Sequence, residues 1–190
     1  MREVQQVAMR ASERKVDLTR HKCFLSYRVT DKDEVEQFLD EFGTEFIPRS
    51  VGVTEDDDFI GSDDDEYIKR RIRELYLTDS TVTILLVGSC SWSRKFIDWE
   101  LSSSLRNDSV NRRNGLLGIC LPSAGTPTIP ARLKDNWVYK EADSSYALYK
   151  EYPDSPATLR SYIERSFAAR TEKPALVDNS RPLRATDSAC

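Results

Sequence analysis

Short apolar runs alternate along the chain with segments whose apolar residues recur every three or four positions. The first pattern predicts buried strands, and the second predicts helices with one buried face. The run at 81–87 is β-branched and nearly all apolar, as a central parallel strand should be. Five strands are predicted in this way: 22–27, 45–51, 81–87, 115–121 and a short one at 137–139.

Four amphipathic helices are predicted between and after these strands. Thr30 should cap the first and Ser62 the second, while the third should run from about 94 to 106. Ser155 should cap the last helix, with Pro156 at its first position. Their buried stripes are predicted at Val35, Phe38, Leu39 and Phe42, at Ile68, Ile72 and Leu75, at Ile97, Leu101 and Leu105, and at Leu159, Tyr162, Ile163 and Phe167.

This alternation predicts an α/β fold, in which helices cover both faces of a central parallel sheet in three layers. We expect the flavodoxin-like strand order, with Pro48 placing the second strand at an edge or near an end. Ligands of such sheets bind at the carboxyl ends of the strands, near the point where the order reverses. The predicted organisation is an N-terminal arm or weak helix at 1–20, one domain at 21–170 and a disordered tail at 171–190.

Composition narrows the classes of function. The net charge of -4 provides no basic field for nucleic acid or for an anionic membrane surface. The chain has no G-x-G-x-x-G, Walker A or G-x-S-x-G motif, which argues against a dehydrogenase, an NTPase and an α/β-hydrolase.

The four cysteines form no C-x-x-C pair, and His21 is the single histidine, so a zinc site is not expected. Cys23 and Cys120 fall within predicted strands, which favours buried thiols and a cytoplasmic protein. The first 20 residues lack the apolar core of a signal peptide, and the longest apolar run, about 84–87, is too short to span a membrane.

Glu100 is the candidate for chemistry. It follows Ile97 by three residues and precedes Leu101, so on a helix it borders the apolar stripe. A carboxylate beside the core is costly unless it is paired or has a function. Both interpretations stay open at this point: a structural ion pair with a nearby arginine or lysine, and a catalytic acid.

Other polar and aromatic residues also have two interpretations. The arginines 28 and 94 suit either a diphosphate or a solvated surface, and the serines 91 and 93 suit helix caps. The tryptophans 92 and 99 suit either stacking on a nucleotide or core packing. The acidic runs at 55–58 and 63–66 suggest a cation site, but the second is better explained as first-turn residues of a helix.

Two segments resemble a known family. Cys23-Phe-Leu-Ser-Tyr27, followed by Asp31, resembles the opening strand of TIR domains. The segment 80–89, followed by Arg94-Lys-Phe-Ile-Asp-Trp-Glu-Leu101, is similar to a flavodoxin-like TIR-like family that includes the TIR proteins of the Thoeris anti-phage system. The resemblance covers roughly residues 22–140.

The resemblance implies an enzyme that takes NAD as substrate, without a resident cofactor or metal, and cleaves the nicotinamide–ribose bond. It places the catalytic role on Glu100. The residues expected to contact the substrate are Phe24, Ser26, Tyr27, Arg28, Ser91, Arg94 and Trp99. The ADP-ribose would then be hydrolysed or cyclised, and the product would be an ADP-ribose-derived signal, cyclic or conjugated, that activates a separate effector protein. The resemblance also leaves room for a homo-oligomer.

The alternative to an enzyme is a TIR-like module that assembles with other proteins and does not catalyse. A phosphoacceptor receiver domain is disfavoured, because it needs an acid at the end of the first strand, where this chain has Ser26 and Tyr27.

Overall fold

The central sheet of the protein is parallel throughout. The computed structural model describes residues 20–49, 52–108 and 112–190. Within them the sheet has five strands in the order β2-β1-β3-β4-β5, the predicted flavodoxin-like order. The strands are β1 (Lys22–Ser26), β2 (Ile47–Arg49), β3 (Val82–Val87), β4 (Gly115–Cys120) and β5 (Leu148–Lys150).

Helices cover both faces of this sheet, as predicted. One apolar cluster joins α1 and α5 to the sheet, and two further clusters on the other face hold α2, α3 and α4. The α-helices of the described chain are α1 (Lys32–Phe42), α2 (Asp65–Leu75), α3 (Lys95–Leu105), α4 (Ala131–Asp135) and α5 (Pro156–Glu172). The α/β/α architecture is therefore confirmed.

The pleat of the strands decides which side chains face α3. Along β3, Ile84 belongs to the α1–α5 cluster, whereas Leu85 belongs to the cluster of α3 and α4. Alternate residues of a strand point to opposite faces. In β1 the same alternation sends Leu25 toward α1 and α5 and places Phe24 and Ser26 on the opposite face. Because β1 pairs with β3 at the centre of the sheet, Ser26 lies at the strand-order reversal.

Two helix caps differ from the prediction. A 3-10 turn intervenes before α1, so Asp31 rather than Thr30 holds the N-cap position. At α2, the Asp64 side chain accepts hydrogen bonds from two backbone amides of the first turn, and Ser62 lies upstream of the cap. The predicted cap at Ser155 is confirmed. Several adjacent acids can each satisfy the first-turn amides, and the apolar pattern does not discriminate among them.

The predicted fifth strand at 137–139 is wrong. That segment has no strand structure and leads into a turn, with Val138 and Tyr139 exposed, while Trp137 packs edge-on against Tyr149. The strand beside β4 is instead β5, whose three residues are too few to give a periodic pattern.

The structure also differs from the predicted disordered tail. Helix α5 continues to Glu172, and the segment that follows packs back on α3 through backbone and polar contacts. Such contacts leave no apolar periodicity in the sequence. The predicted N-terminal arm lies outside the described residues, apart from Arg20.

Cys23 and Cys120 are free and buried, as predicted, and Cys90 forms a disulfide with Cys190 that the sequence did not indicate. Among the described helices, none combines the length and the apolar character that a membrane crossing needs.

Candidate active site

Glu100 lies at the floor of the site. It is on the second turn of α3 and is only 5% exposed. Its Oε2 accepts a hydrogen bond of 2.6 Å from the Ser26 hydroxyl, and its Oε1 accepts one of 3.0 Å from the Val53 backbone N–H. Of the two interpretations that the sequence left open, the structural ion pair is therefore not what holds Glu100: its bonded partners are neutral donors.

Burial changes the acidity of this carboxyl. Desolvation raises the pKa of Glu100 to about 7, and the hydrogen bonds from Ser26 and Val53 lower it only in part. Near neutral pH the group therefore exchanges readily between its neutral and ionised forms. A perturbed carboxyl in a cleft is typical of functional sites.

The segment after β2 closes over the carboxylate. Gly52 approaches so closely that a Cβ at this position would lie 2.4 Å from Glu100 Oε1. Only a residue without a side chain allows the Val53 N–H to reach the carboxylate. In the sequence Gly52 is simply part of a loop. The one feature that could have indicated its close approach to Glu100 is its position just after the carboxyl end of a predicted strand.

A cavity of about 200 Å³ opens above Glu100. Its wall combines the carboxyl end of β1 with the first turns of α3. The lining residues include Tyr27, Arg28, Val53, Arg94, Phe96 and Asp187. The sequence predicted the first two and Arg94; it missed Val53, Phe96 and Asp187.

Tyr27 and Arg28 form the β1 side of the cavity. Burial, together with the nearby carboxyl of Glu100, raises the pKa of Tyr27 to about 12, so its phenol stays neutral. The Arg28 Nε is buried and has no hydrogen-bond partner within the described part of the chain. A buried unpaired donor is costly.

Arg94 and Asp187 form the opposite rim. The Arg94 guanidinium is ion-paired with the Asp187 carboxylate, which also accepts a hydrogen bond of 2.7 Å from the Lys95 backbone N–H at the start of α3. Asp187 comes from the C-terminal segment, so this contact could not be read from the spacing of residues near Glu100.

Phe24, Ser91 and Trp99 are not among the residues that line this cavity. Phe24 and Trp99 belong to one buried apolar cluster, which agrees with the core-packing interpretation of Trp99. The Ser91 hydroxyl accepts a hydrogen bond from the Gly88 backbone N–H, so it fixes the turn after β3. The structure thus brings Ser26, Tyr27, Arg28 and Arg94 to Glu100 and gives the other three predicted residues supporting positions.

Members of both acidic runs accept hydrogen bonds from other parts of the fold. Asp57 accepts hydrogen bonds from Thr54 and from the Tyr76 hydroxyl, and Asp65 accepts one from the Leu183 backbone N–H. Within residues 20–49, 52–108 and 112–190, no group of three or more potential ligands is arranged to hold a metal ion.

Comparison with known families decides the assignment. The family described as Thoeris protein ThsB, TIR-like domain, matches residues 24–126, which is more than half of the chain. The chain belongs to this ThsB family. Membership places the protein among the TIR-like proteins of Thoeris anti-phage defence. No curated protein matches the chain.

The ThsB match covers one part of the site and not another. It begins at Phe24 in β1 and includes Ser26, Gly52, Val53 and Glu100. It ends shortly after β4, so the C-terminal segment that carries Asp187 lies beyond it. The floor of the cavity is therefore within the ThsB-like region, whereas part of its rim is not.

Proposed function

We propose that the protein cleaves the bond between nicotinamide and ribose in NAD, with Glu100 as the catalytic carboxylate. The observation that carries the proposal is a nearly buried glutamate, held by two neutral donors, at the floor of a cavity whose wall contains two arginines. Membership of the ThsB family also supports NAD as the substrate.

The chemistry needs a carboxylate and little else. When the C–N bond breaks, its electron pair stays on the nicotinamide nitrogen, so the leaving group departs neutral and needs no acid. The ribosyl carbon becomes an oxocarbenium-like cation, and an ionised Glu100 at the cavity floor would stabilise that charge as it develops. Capture by water gives ADP-ribose and a proton; capture by a nucleophile within the same molecule gives a cyclic product.

The pKa of Glu100 fits this role when substrate binds. In the free protein burial raises the pKa of Glu100 to about 7, which favours the neutral carboxyl more than in an exposed glutamate. The nicotinamide ring of NAD carries a positive charge, which would favour the ionised carboxylate and lower its pKa. Substrate binding would thus complete the ionisation that catalysis requires.

The arginines supply the complement for the rest of the substrate. Arg28 and Arg94 line the same cavity as Glu100. Arginine pairs well with phosphate oxygens. We therefore assign the diphosphate to these two residues, which would orient the ribose toward Glu100.

The product would serve as an ADP-ribose-derived signal, cyclic in form, for a separate effector protein.

The experiment follows nicotinamide release from NAD by chromatography, with purified protein alone and with phage-infected lysate added. The wild type should release nicotinamide in at least one of these conditions, and Glu100→Gln should release it about 100-fold more slowly or worse. Glu74→Gln, a change of the same type on the exposed face of α2, is the matched control and should behave as the wild type.

Two outcomes would contradict the proposal. One is the absence of nicotinamide release by the wild type under both conditions, which would favour a non-catalytic interaction module. The other is release by Glu100→Gln at the wild-type rate.

A further inference from the structure

The C-terminal strap, defined as residues 178–190, lies across α3 beside the Glu100 cavity. It is joined to α3 and to the turn before it at successive points along its length. The contacts are Asn179 with Ser102, the Arg184 carbonyl with the Trp99 indole N–H, Asp187 with Arg94 and Lys95, and the Ser188 N–H with the Ser93 carbonyl. The strap is therefore a docked element of the fold.

Arg132 holds the first half of the strap. This side chain is fully buried and donates two hydrogen bonds to the Asp98 carboxylate, at 2.9 and 3.1 Å. It also donates to the backbone carbonyls of Arg181 and Pro182. The strap carbonyls thus add to the hydrogen bonds that a buried guanidinium requires and fix the first half of the strap to it.

The second half of the strap reaches the cavity. Asp187 lines the same cavity as Glu100. Its carboxylate accepts hydrogen bonds from the Arg94 guanidinium and from the Lys95 backbone N–H, the first free N–H of α3. These are the two groups at this rim that are best suited to bind a phosphate. Three residues further on, Cys190 is joined to Cys90 in the turn after β3.

The small size of the cavity also indicates that the strap covers part of the site. Pockets that hold a small molecule usually measure about 300–1,000 Å³, whereas this one measures about 200 Å³ with the strap in place. A dinucleotide is a large ligand of its class, so it needs part of the wall to move. Several described wall residues lie outside helices and strands, and among them Asp187 is the one whose side chain is bonded to both Arg94 and the start of α3, so displacing its segment would free both groups.

We propose that the C-terminal strap is an autoinhibitory element: Asp187 fills the place of a substrate phosphate at Arg94 and the start of α3, and the strap must leave before a dinucleotide binds. This inference rests on the proposed function, because it names the regulation of that site. The Cys90–Cys190 disulfide tethers the strap at its end and so favours the closed state.

The thermodynamic consequence is a reduced apparent affinity. A ligand that binds only the open protein has its dissociation constant multiplied by the inverse of the open fraction. The Asp187–Arg94 pair is partly exposed, with side-chain exposures of 43% and 33%. Partly exposed pairs contribute about 1 kcal/mol or less, so its loss should tighten binding about fivefold at most.

The test measures ADP-ribose binding by calorimetry, because ADP-ribose carries the diphosphate and requires no turnover. Asp187→Asn should bind ADP-ribose about threefold to fivefold more tightly than the wild type. Asp178→Asn removes the same charge from the same strap at a position whose side chain bonds only to Ser180 among the described residues, and its affinity should equal that of the wild type.

A second comparison releases the tether and leaves Asp187 in place. A dithiol reductant supplies two electrons and two protons, converts the disulfide into two thiols and becomes a disulfide itself. Reduced wild type and Cys190→Ser should both bind ADP-ribose about twofold or more tightly than oxidised wild type. The dithiol should not change the affinity of Cys190→Ser.

The outcomes separate the strap from the proposed reaction. The autoinhibitory role of the strap is contradicted if Asp187→Asn and the reduced protein both bind ADP-ribose as tightly as oxidised wild type or more weakly. It is also contradicted if no variant binds ADP-ribose. In both cases nicotinamide release still decides the proposed function. Tighter binding with no nicotinamide release by any variant supports the strap as a gate over a nucleotide site and contradicts the cleavage reaction.

Discussion

The Ser26 hydroxyl donates a hydrogen bond of 2.6 Å to Glu100 Oε2, joining the end of β1 to α3 across 74 positions of sequence. The bond crosses the point where the strand order reverses, which is where ligands of this fold class bind. It also favours the ionised form of a carboxyl that burial drives toward neutrality. Ser26 is thus a positioning residue that tunes the proposed catalytic group.

Replacing Ser26 should shift the pH dependence of catalysis. The Ser26 hydrogen bond lowers the pKa of Glu100, so Ser26→Ala should raise that pKa further above about 7. A hydrogen bond to a charged group contributes about 1.5–3 kcal/mol, and 1.36 kcal/mol corresponds to about one pKa unit. The rising limb of kcat/KM against pH should therefore move up by about one unit.

The control for this measurement is Ser103→Ala. Ser103 is equally buried on α3, but its hydroxyl bonds to the Trp99 carbonyl and not to Glu100. Its pH profile should match the wild type. A Ser26→Ala profile that also matches the wild type would show that this hydrogen bond does not tune Glu100.

Gly52→Ala should disable the site through a steric clash. The added methyl group would lie 2.4 Å from Glu100 Oε1 and must displace either the carboxylate or the Val53 N–H. We expect kcat to fall about tenfold or more, because misplaced catalytic groups lose much of their effect. Nicotinamide release measures the loss.

Gly61→Ala is the matched control, because it lies in the same loop and a Cβ there would meet nothing within 4 Å. Its activity should be that of the wild type. Equal activities of the two alanine variants would contradict the close approach of Gly52 to Glu100.

Arg132→Lys should destabilise the fold strongly. Lysine cannot reproduce the two-pronged pairing with Asp98 and would leave the strap carbonyls short of donors. A buried acceptor left without a donor costs about 1–3 kcal/mol, and urea unfolding should show a loss of about 3 kcal/mol. The control is Arg181→Lys, at a pair with Asp135 that is half exposed and should cost less than about 1 kcal/mol. Similar losses at both sites would contradict the role of Arg132.

The hydrophobic pattern predicted most of the fold, because each strand or helix leaves its periodicity in a short stretch of consecutive residues. The strands β1, β3 and β4 and the helix α3 appear at nearly the predicted positions, because buried strands and one-sided helices impose their own periodicity. The prediction of a strand at 137–139 is wrong because an aromatic-rich turn resembles a short strand. β5 has only three residues, of which Leu148 alone is buried, so it imposes no periodicity.

The site was predictable only in part for the same reason. Glu100 and Ser26 stand on elements with clear patterns, so their meeting followed from the fold. Val53 contributes a backbone N–H, which any residue other than proline would supply, and Asp187 arrives through a segment without periodicity. Contacts of these two kinds depend on the folded chain and leave no trace in side-chain patterning.

Burial also predicts that Glu100 lowers the stability of the fold at neutral pH. Its pKa is raised in the folded state, so the native protein binds an extra proton between its ordinary value near 4.5 and about 7. Stability from this group should therefore fall as pH rises through that window and stay level above it, with a total cost of about 3 kcal/mol.

The most direct measurement of the central claim combines thermal unfolding and nicotinamide release in Glu100→Gln. A glutamine amide can accept from the Val53 N–H and donate to the Ser26 hydroxyl, so the substitution removes the charge and keeps the bonds. At pH 8 we predict a midpoint about 5 °C or more above the wild type, most of which disappears by pH 4.5, together with the loss of nicotinamide release. A variant that is less stable than the wild type at pH 8, or that still cleaves NAD at the wild-type rate, would contradict the claim that Glu100 is held in a costly site for catalysis.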